Sequence, residues 1–223
     1  MEDLQQMLTP LMRGTVVTLQ LALISTVFGG ILSFAAGIGK LSQNGFVRAA
    51  SVAYIEIFRG TSLLVQMFWL FFALPIIGVR FEPMTAGILA LSLNIGAYGA
   101  EVVRGAIQSV PTGQYEAAVA VNFTRRFTLW NVVLPQALVE MMPPFGNLVV
   151  QNLKDTALVS LITLGDLTFR AQNYRNLTLE TIPVFTATLL IYFALALVLM
   201  GVMRWLEGWI ARRVGVVHGR ASA

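Results

Sequence analysis

The fold is decided first by a stretch near the N-terminus, residues 15–39, which reads TVVTLQLALISTVFGGILSFAAGIG. It holds no charged residue between Arg13 and Lys40, and a helix needs only about 20 apolar residues to cross the hydrocarbon core of a bilayer. The composition agrees, because 57% of the residues are hydrophobic and 12% are charged, whereas a soluble domain carries about 25% charged residues. With a mean hydropathy of +0.74, the sequence predicts an integral membrane protein.

Four further stretches predict spanning helices. We therefore expect residues 1–223 to form one all-α transmembrane domain with about five transmembrane helices. The four stretches are residues 46–74, embedded from about Gly60 and ended by Pro75; 83 to beyond 100; 130–153, interrupted by Pro135, Pro143 and Pro144; and 183–203.

The basic residues predict the orientation, because Lys and Arg in short loops gather on the cytoplasmic side. Ten would share one side and five the other, which places the N-terminus outside and the C-terminus in the cytoplasm. The ten are Lys40, Arg48, Arg59, Arg104, Arg125, Arg126, Arg204, Arg212, Arg213 and Arg220. The five are Arg13, Arg80, Lys154, Arg170 and Arg175.

Two stripes of small residues predict close packing between spanning helices, because small side chains let two backbones approach in lipid. The stripes are Gly29, Ser33 and Gly37 in the first stretch, and Ser92, Gly96 and Ala100 in the third.

The loop between the third and fourth stretches, residues 111–135, predicts a short helix, a turn and a second helix. Residues 116–121 favour a helix after the start signal at Pro111. Asn122 can adopt the left-handed conformation that ends a helix, and Pro135 would break the second helix. A short helix across the cytoplasmic face would suit a partner protein.

The residues of this loop follow a long pattern. It consists of Glu-Ala-Ala, three residues, Gly, nine residues, an aliphatic residue, any residue, and Leu-Pro. Here it is met by Glu116-Ala117-Ala118, Asn122 in the glycine place, Val132, and Leu134-Pro135. The segment resembles the EAA loop of the membrane subunits of ATP-binding-cassette (ABC) importers.

Other segments extend the resemblance. EIFRGTSLLVQ at 56–66, GAYGAEVVRG at 96–105, and LKDTALVS at 153–160 with Asp166-Leu167 are similar to the polar amino-acid uptake branch of that family. Within the branch, residues 68–75, 143–147 and 160–168 are similar to permease subunits for ectoine and hydroxyectoine. The resemblance implies a type I ABC importer permease fold (MetI-like) and import of a small polar zwitterionic solute, with ectoine or hydroxyectoine favoured. The alternative within the family is a permease for basic or acidic polar amino acids.

The resemblance also implies partners in the bacterial cytoplasmic (inner) membrane. These are lipid, a second permease subunit in a hetero- or homodimer, a cytoplasmic ABC ATPase dimer and an extracytoplasmic solute-binding protein, with no nucleic acid. The sequence holds no P-loop, so ATP and Mg are expected in the ATPase and no cofactor is expected on this chain. The residues expected to couple to the ATPase are Glu116, Ala117, Ala118, Asn122, Leu134 and Pro135.

Polar residues at membrane depth are costly and mark candidate pathways. Asn94, Tyr98 and Glu101 share one helical face, and Asn147, Gln151 and Lys154 repeat that spacing. A zwitterion needs an anionic and a cationic partner, which Asp155 and Lys154 could supply, and Tyr98 could stack against a cation. The expected pathway residues are Gln66, Asn94, Tyr98, Glu101, Asn147, Gln151, Lys154 and Asp155.

Structural alternatives remain for several of these polar residues. Asn147 and Gln151 could simply form hydrogen bonds between helices, and Glu101 could pair with Arg104. A pair between Glu56 and Arg59, at i and i+3, is expected to be structural.

Other chemistries find little support. The sequence has no cysteine, and His218 is its sole histidine, so no catalytic residue and no metal site are expected and the chain is not predicted to be an enzyme. An ATP-independent channel is the remaining different class, and the EAA-like loop argues against it.

Overall fold

The computed structural model describes residues 2–214, and Arg220 and His218 lie outside them. The described chain consists of helices joined by short turns, with no strand between residues 2 and 214. The α-helices are α1 Glu2–Lys40, α2 Gly45–Gly60, α3 Leu63–Phe68, α4 Pro83–Ser109, α5 Thr112–Ala120, α6 Arg125–Thr128, α7 Leu134–Asp155, α8 Leu167–Thr178 and α9 Thr181–Val214. Four turns continue three of these helices: the π turn Trp69–Ala73 and the 3₁₀ turn Leu74–Ile77 follow α3, the π turn Leu129–Val133 follows α6, and the 3₁₀ turn Thr156–Ile162 follows α7.

Helices α1 and α4 pack along each other through the two stripes of small residues. A β-carbon at Gly37 would lie 2.7 Å from the carbonyl oxygen of Ala100, and one at Gly96 would lie 2.8 Å from Cβ of Leu32. By contrast, a β-carbon at Gly30 would meet nothing within 4 Å. The stripes therefore permit the close approach of α1 and α4, as the sequence predicts.

The second stretch is not one straight helix. Helix α2 ends at Gly60, and the segment Leu63–Ile77 leaves it at an angle of 104°. Thr61 and Ser62 form the break, and both are exposed and extended. The expected single segment embedded from Gly60 is therefore a bent pair of helices, because the chain turns sharply at these two residues.

Fewer helices than expected are apolar enough to cross a membrane by themselves. Three meet the length and hydropathy criteria, namely Gln5–Lys40, Pro83–Ser109 and Thr181–Arg213, and the bent pair would make a fourth. Helix α7 has the length but not the hydropathy. It packs against both α4 and α9, and of its polar side chains Asn152 is buried whereas Glu140 and Lys154 are exposed.

The prolines of the fourth stretch do not interrupt it. Pro135 lies in the first turn of α7, where a helix needs no N–H donor, and Pro143 and Pro144 lie inside a continuous helix. The irregularity lies instead in the π turn Leu129–Val133 just before α7. The expected breaks are wrong, because proline is tolerated at the helix start and, in this packed helix, also within it.

The elements outside the membrane-spanning helices gather at two opposite ends. Near Lys40, the α1–α2 connection, α5 and α6 border a cavity of about 740 Å³. At the other end, Asp166 caps the N-terminus of α8, and its carboxylate accepts hydrogen bonds from the N–H groups of Thr168 (3.1 Å) and Phe169 (3.0 Å). There a β-carbon at Gly14 would lie 2.7 Å from Cα of Leu167, so α8 rests directly on α1.

Candidate functional site

A polar cavity of about 420 Å³ lies between α4, α7 and the break that joins α2 to α3. Four of the eight expected pathway residues line it: Asn94 and Tyr98 on α4, and Gln151 and Asp155 on α7. Its other lining residues are Thr61, Ser62, Leu63, Ile95, Leu148 and Asn152. This volume lies within the range of about 300–1,000 Å³ that is usual for small-molecule sites.

Asp155 is the only charged residue among those that line this cavity. Its Oδ1 accepts a hydrogen bond of 2.8 Å from Nε2 of Gln151, one helical turn earlier. Lys154 is exposed and lies outside the lining, because successive residues of a helix point about 100° apart. Lys154 and Asp155, which are expected to supply both charges to one solute, therefore do not both line this cavity.

Gln66 stabilises the cavity wall through hydrogen bonds to Phe58 and Thr61. Its Nε2 donates to the carbonyl oxygens of Phe58 (2.9 Å) and Thr61 (3.2 Å) and to Oγ1 of Thr61 (2.8 Å). Asn94 Nδ2 donates to the same Phe58 oxygen at 3.2 Å. Asn94 thus ties the end of α2 to α4, and Gln66 ties α3 back to the end of α2 and to Thr61. Gln66 does not itself line the cavity.

Glu101 lies one turn beyond Tyr98, and its carboxylate forms ion pairs with two basic side chains. Its Oε1 is 2.7 Å from Nζ of Lys40, and its Oε2 is 2.8 Å from Nη2 of Arg104. The expected pairing with Arg104 is confirmed, and Lys40 joins it from the end of α1. Glu101 therefore clamps α1 to α4 and lies outside the cavity.

Asn147 faces a different space. It lines a separate cavity of about 170 Å³ between α7 and α9, together with Met203, Arg204 and Glu207. Although Asn147 and Gln151 are four residues apart, α7 packs against two helices and its polar side chains are divided between two cavities. Asn147, Lys154, Glu101 and Gln66 are thus not brought together with the other four.

Asn152 is a lining residue that the sequence reasoning missed. Its side chain is buried, and Nδ2 donates to Oγ of Ser25 (2.8 Å) and Oγ1 of Thr26 (3.0 Å) on α1. The available signal was the Ser25-Thr26 pair inside an uncharged stretch, because buried hydroxyls need partners. Asn152 supplies one and ties α7 to α1 beside the cavity.

Arg59 also departs from its expected place. Its guanidinium carbon lies 5.3 Å from the centroid of the Tyr98 ring, near the middle of α4, rather than among the loop charges. Among the described side chains, Glu56 and Arg59 form no ion pair, so the expected structural pair is wrong. The ring of Tyr98, whose residue is 40% exposed, attracts the cation instead.

The EAA-like loop folds as the sequence predicts up to its turn. Glu116 and Ala117 are exposed on α5, and Ala118 is buried. Asn122 has a φ of 57°, the left-handed conformation expected where the family pattern has glycine. Tyr115 anchors the helix by donating from its hydroxyl to the Ile107 carbonyl oxygen at 3.1 Å, and burial raises the pKa of this phenol, which keeps it a neutral donor.

The far end of the loop joins α7 without a break. Leu134 is buried in a cluster with Val103 and Val133, and Pro135 follows it in the first turn. The Leu-Pro pair thus fixes the loop to the helix that carries Gln151 and Asp155. Within the described residues, no group of three or more His, Cys, Asp or Glu side chains is placed to hold a metal ion.

Comparison with known families identifies the class of protein. The family model for the binding-protein-dependent transport system inner membrane component matches residues 26–212. The chain belongs to this family. It is a multi-pass permease subunit of an ABC importer, and its relatives are permeases rather than enzymes.

Curated relatives cover nearly the whole permease. The probable amino-acid ABC transporter permease protein y4tF of Sinorhizobium fredii is 58% identical over 94% of this chain and 91% of its own. The L-cystine transport system permease protein TcyB of Bacillus subtilis is 35% identical over 93% and 92%. The glutamine transport system permease protein GlnP of Escherichia coli is 32% identical over 88% and 91%.

Solved structures share the fold. A crystal structure of an amino acid ABC transporter with histidines matches with a TM-score of 0.86 and 30% identity, over 92% of this chain and 96% of that one. The inward-facing MetNI methionine ABC transporter matches with a TM-score of 0.74 and 22% identity, over 94% and 98%. The expected type I permease fold (MetI-like) is confirmed.

Proposed function

We propose that this permease forms the translocation pathway for a small zwitterionic amino acid, and that the cavity beside Asp155 is where the solute passes. The observation that carries the proposal is the meeting of Asn94, Tyr98, Gln151 and Asp155 around one cavity at the break between α2 and α3. Asp155 offers a carboxylate to an ammonium group, and the amides offer donors and acceptors. The aromatic face of Tyr98 contributes apolar surface and attraction for a cation.

The names of the relatives support an amino acid as the solute. They refer to amino acids, L-cystine and glutamine, which favours the polar amino-acid alternative over ectoine or hydroxyectoine. Ectoine is also a zwitterion and would satisfy the same chemistry, so it belongs in the test as the second candidate.

The proposal includes the partners that the family implies. An ABC ATPase dimer with ATP and Mg would dock on α5 and the loop at residues 111–135, with Glu116 and Ala117 presented to it. A second permease subunit would complete the pathway, and a solute-binding protein would deliver the solute from outside. Exposure of the Glu116 and Ala117 side chains at one end of the molecule supports this docking face.

The decisive experiment is uptake into proteoliposomes that contain the full importer, with ATP inside. We expect ATP-dependent uptake of at least one of L-glutamine, L-cystine, L-arginine and L-glutamate, tested beside ectoine. Asp155→Asn and Tyr98→Ala should each lower uptake about tenfold or more, because each removes a group that contacts the solute. Lys154→Gln is the matched control, since Lys154 lies next to Asp155 but outside the cavity. Unchanged KM and rate in both variants would refute this pathway.

Orientation has its own test. The excess of basic residues near α5 favours a cytoplasmic location for that end, with the N-terminus outside. Because the chain has no cysteine, Gln43→Cys and Thr178→Cys each introduce a single thiol at opposite ends. A membrane-impermeant maleimide added to intact cells should label residue 178 and not residue 43. The reverse pattern would overturn the orientation.

A further inference from the structure

Arg59 lies beside a lining residue of the cavity and forms no ion pair with any acidic side chain that the structure describes. Its guanidinium lies against Tyr98, which lines the cavity. Among the described side chains, the ion pairs are those of Glu101 with Lys40 and Arg104, and no hydrogen bond of the Arg59 side chain to protein is formed. Tyr98 lies near the middle of α4, and an ionisable residue at the depth of a spanning helix is costly and marks a candidate site.

The backbone around Arg59 is held in place. The preceding carbonyl, that of Phe58, accepts hydrogen bonds from Asn94 (3.2 Å) and Gln66 (2.9 Å). Thr61 and Ser62, which follow after Gly60, line the cavity themselves. The main chain at Arg59 is therefore held between the anchored Phe58 carbonyl and the cavity wall. The Arg59 side chain itself is exposed.

The charges divide between the two walls. Asp155 belongs to α7 and Arg59 to the end of α2. Tyr98 of α4 lines the cavity together with Asp155, and its ring contacts the Arg59 guanidinium. We propose that Arg59 binds the carboxylate of the solute while Asp155 receives its ammonium group. This inference rests on the proposed function and adds a specificity residue to the same site. The guanidinium fork matches a carboxylate with two parallel hydrogen bonds, which a lysine cannot reproduce.

The test compares each amino acid of the panel with its α-carboxamide, which lacks the carboxylate. Binding is measured by thermal stabilisation of the purified permease–ATPase assembly in nanodiscs without the solute-binding protein, so that the binding protein's own selectivity does not enter. The wild type should bind the amino acid about 10- to 100-fold more tightly than the amide. Arg59→Gln should remove that preference, and Arg59→Lys should retain part of it.

Arg48→Gln is the matched control, because Arg48 is an exposed arginine on the same helix, eleven residues before Arg59, whereas it is Arg59 that lies against the Tyr98 ring. It should discriminate as the wild type does. If the wild type discriminates and both Arg59 variants do so equally well, Arg59 does not bind the carboxylate and the inference is overturned while the proposed function stands. If the wild type is stabilised by no amino acid and no amide, the proposed function fails and the inference fails with it. If the Arg59→Gln permease does not assemble with the ATPase, the comparison of amino acid and amide binding by Arg59→Lys decides the test.

Discussion

Gly37 on α1 faces the main-chain oxygen of Ala100 on α4 so closely that a β-carbon at residue 37 would lie 2.7 Å from it. The contact is with backbone, so it cannot be relieved by a side-chain rotation. We expect Gly37→Ala to destabilise the protein by about 1–3 kcal/mol, seen as a lower unfolding temperature of the purified importer in detergent. Gly30→Ala on the same helix meets open space and should be neutral. Equal stability of the two variants would contradict this packing.

Glu101→Gln tests the clamp between α1 and α4. The change leaves Lys40 and Arg104 next to each other without their shared carboxylate. The three side chains are 18–31% exposed, so we expect a loss of only about 1 kcal/mol. The loss should shrink in high salt, which screens exposed charges, and unfolding temperatures at two ionic strengths measure it. Glu140→Gln, an exposed residue of α7, is the control, and a salt-independent loss would argue against an ionic clamp.

Asn152→Leu tests the link between α7 and α1. The variant removes the donor to Ser25 and Thr26. Because the Ser25 hydroxyl donates to the Leu21 carbonyl at 2.7 Å, it keeps one partner, and we expect a modest cost of about 1 kcal/mol in unfolding free energy. Asn147→Leu, five residues earlier and exposed, should cost less. The prediction is wrong if the two substitutions rank the other way.

Asn122 offers a test of backbone conformation. Since its φ is 57°, Asn122→Gly should be neutral or slightly stabilising, whereas Asn122→Val should cost about 1–2 kcal/mol. The measurement is the unfolding temperature together with the amount of ATPase that copurifies. If valine is accepted as well as glycine, the turn does not depend on the left-handed conformation.

Glu116→Lys tests coupling to the ATPase. We expect it to abolish ATPase copurification and uptake while membrane insertion persists, because the side chain is exposed on the proposed docking helix. Glu180→Lys makes the same charge change at an exposed residue before α9 and should leave uptake intact. Normal uptake with Glu116→Lys would support an ATP-independent channel.

The parts of the fold that could be predicted from sequence are those set by local chemistry. The uncharged run at 15–39 determines α1, the small-residue stripes determine its packing on α4, and the spacing from Glu116 to Pro135 locates the loop with its left-handed Asn122. Each of these depends on residues close in sequence or on one pair of helix faces. Helical periodicity is enough to read them.

Only four of the eight expected pathway residues line the cavity, because the lining depends on how the helices bend and pack. Periodicity places Asn147 and Gln151 on one face, but α7 packs against both α4 and α9, and that face is shared between two cavities. The 104° bend after Gly60 lets Gln66 of α3 bond back to Phe58 and Thr61, and the packing of α2 on α4 brings Arg59 to Tyr98. Neither the bend nor the double packing has a signature in the local sequence.

The charges at the cavity bear on how import responds to the membrane potential. Moving one elementary charge across 100 mV is worth about 2.3 kcal/mol. Asp155 lines the cavity and Arg59 lies against the Tyr98 ring, so the proposed site would offer one charge of each sign and would suit a solute with no net charge. Transfer of such a zwitterion moves no net charge across the bilayer, so the electrical gradient neither drives nor opposes this step.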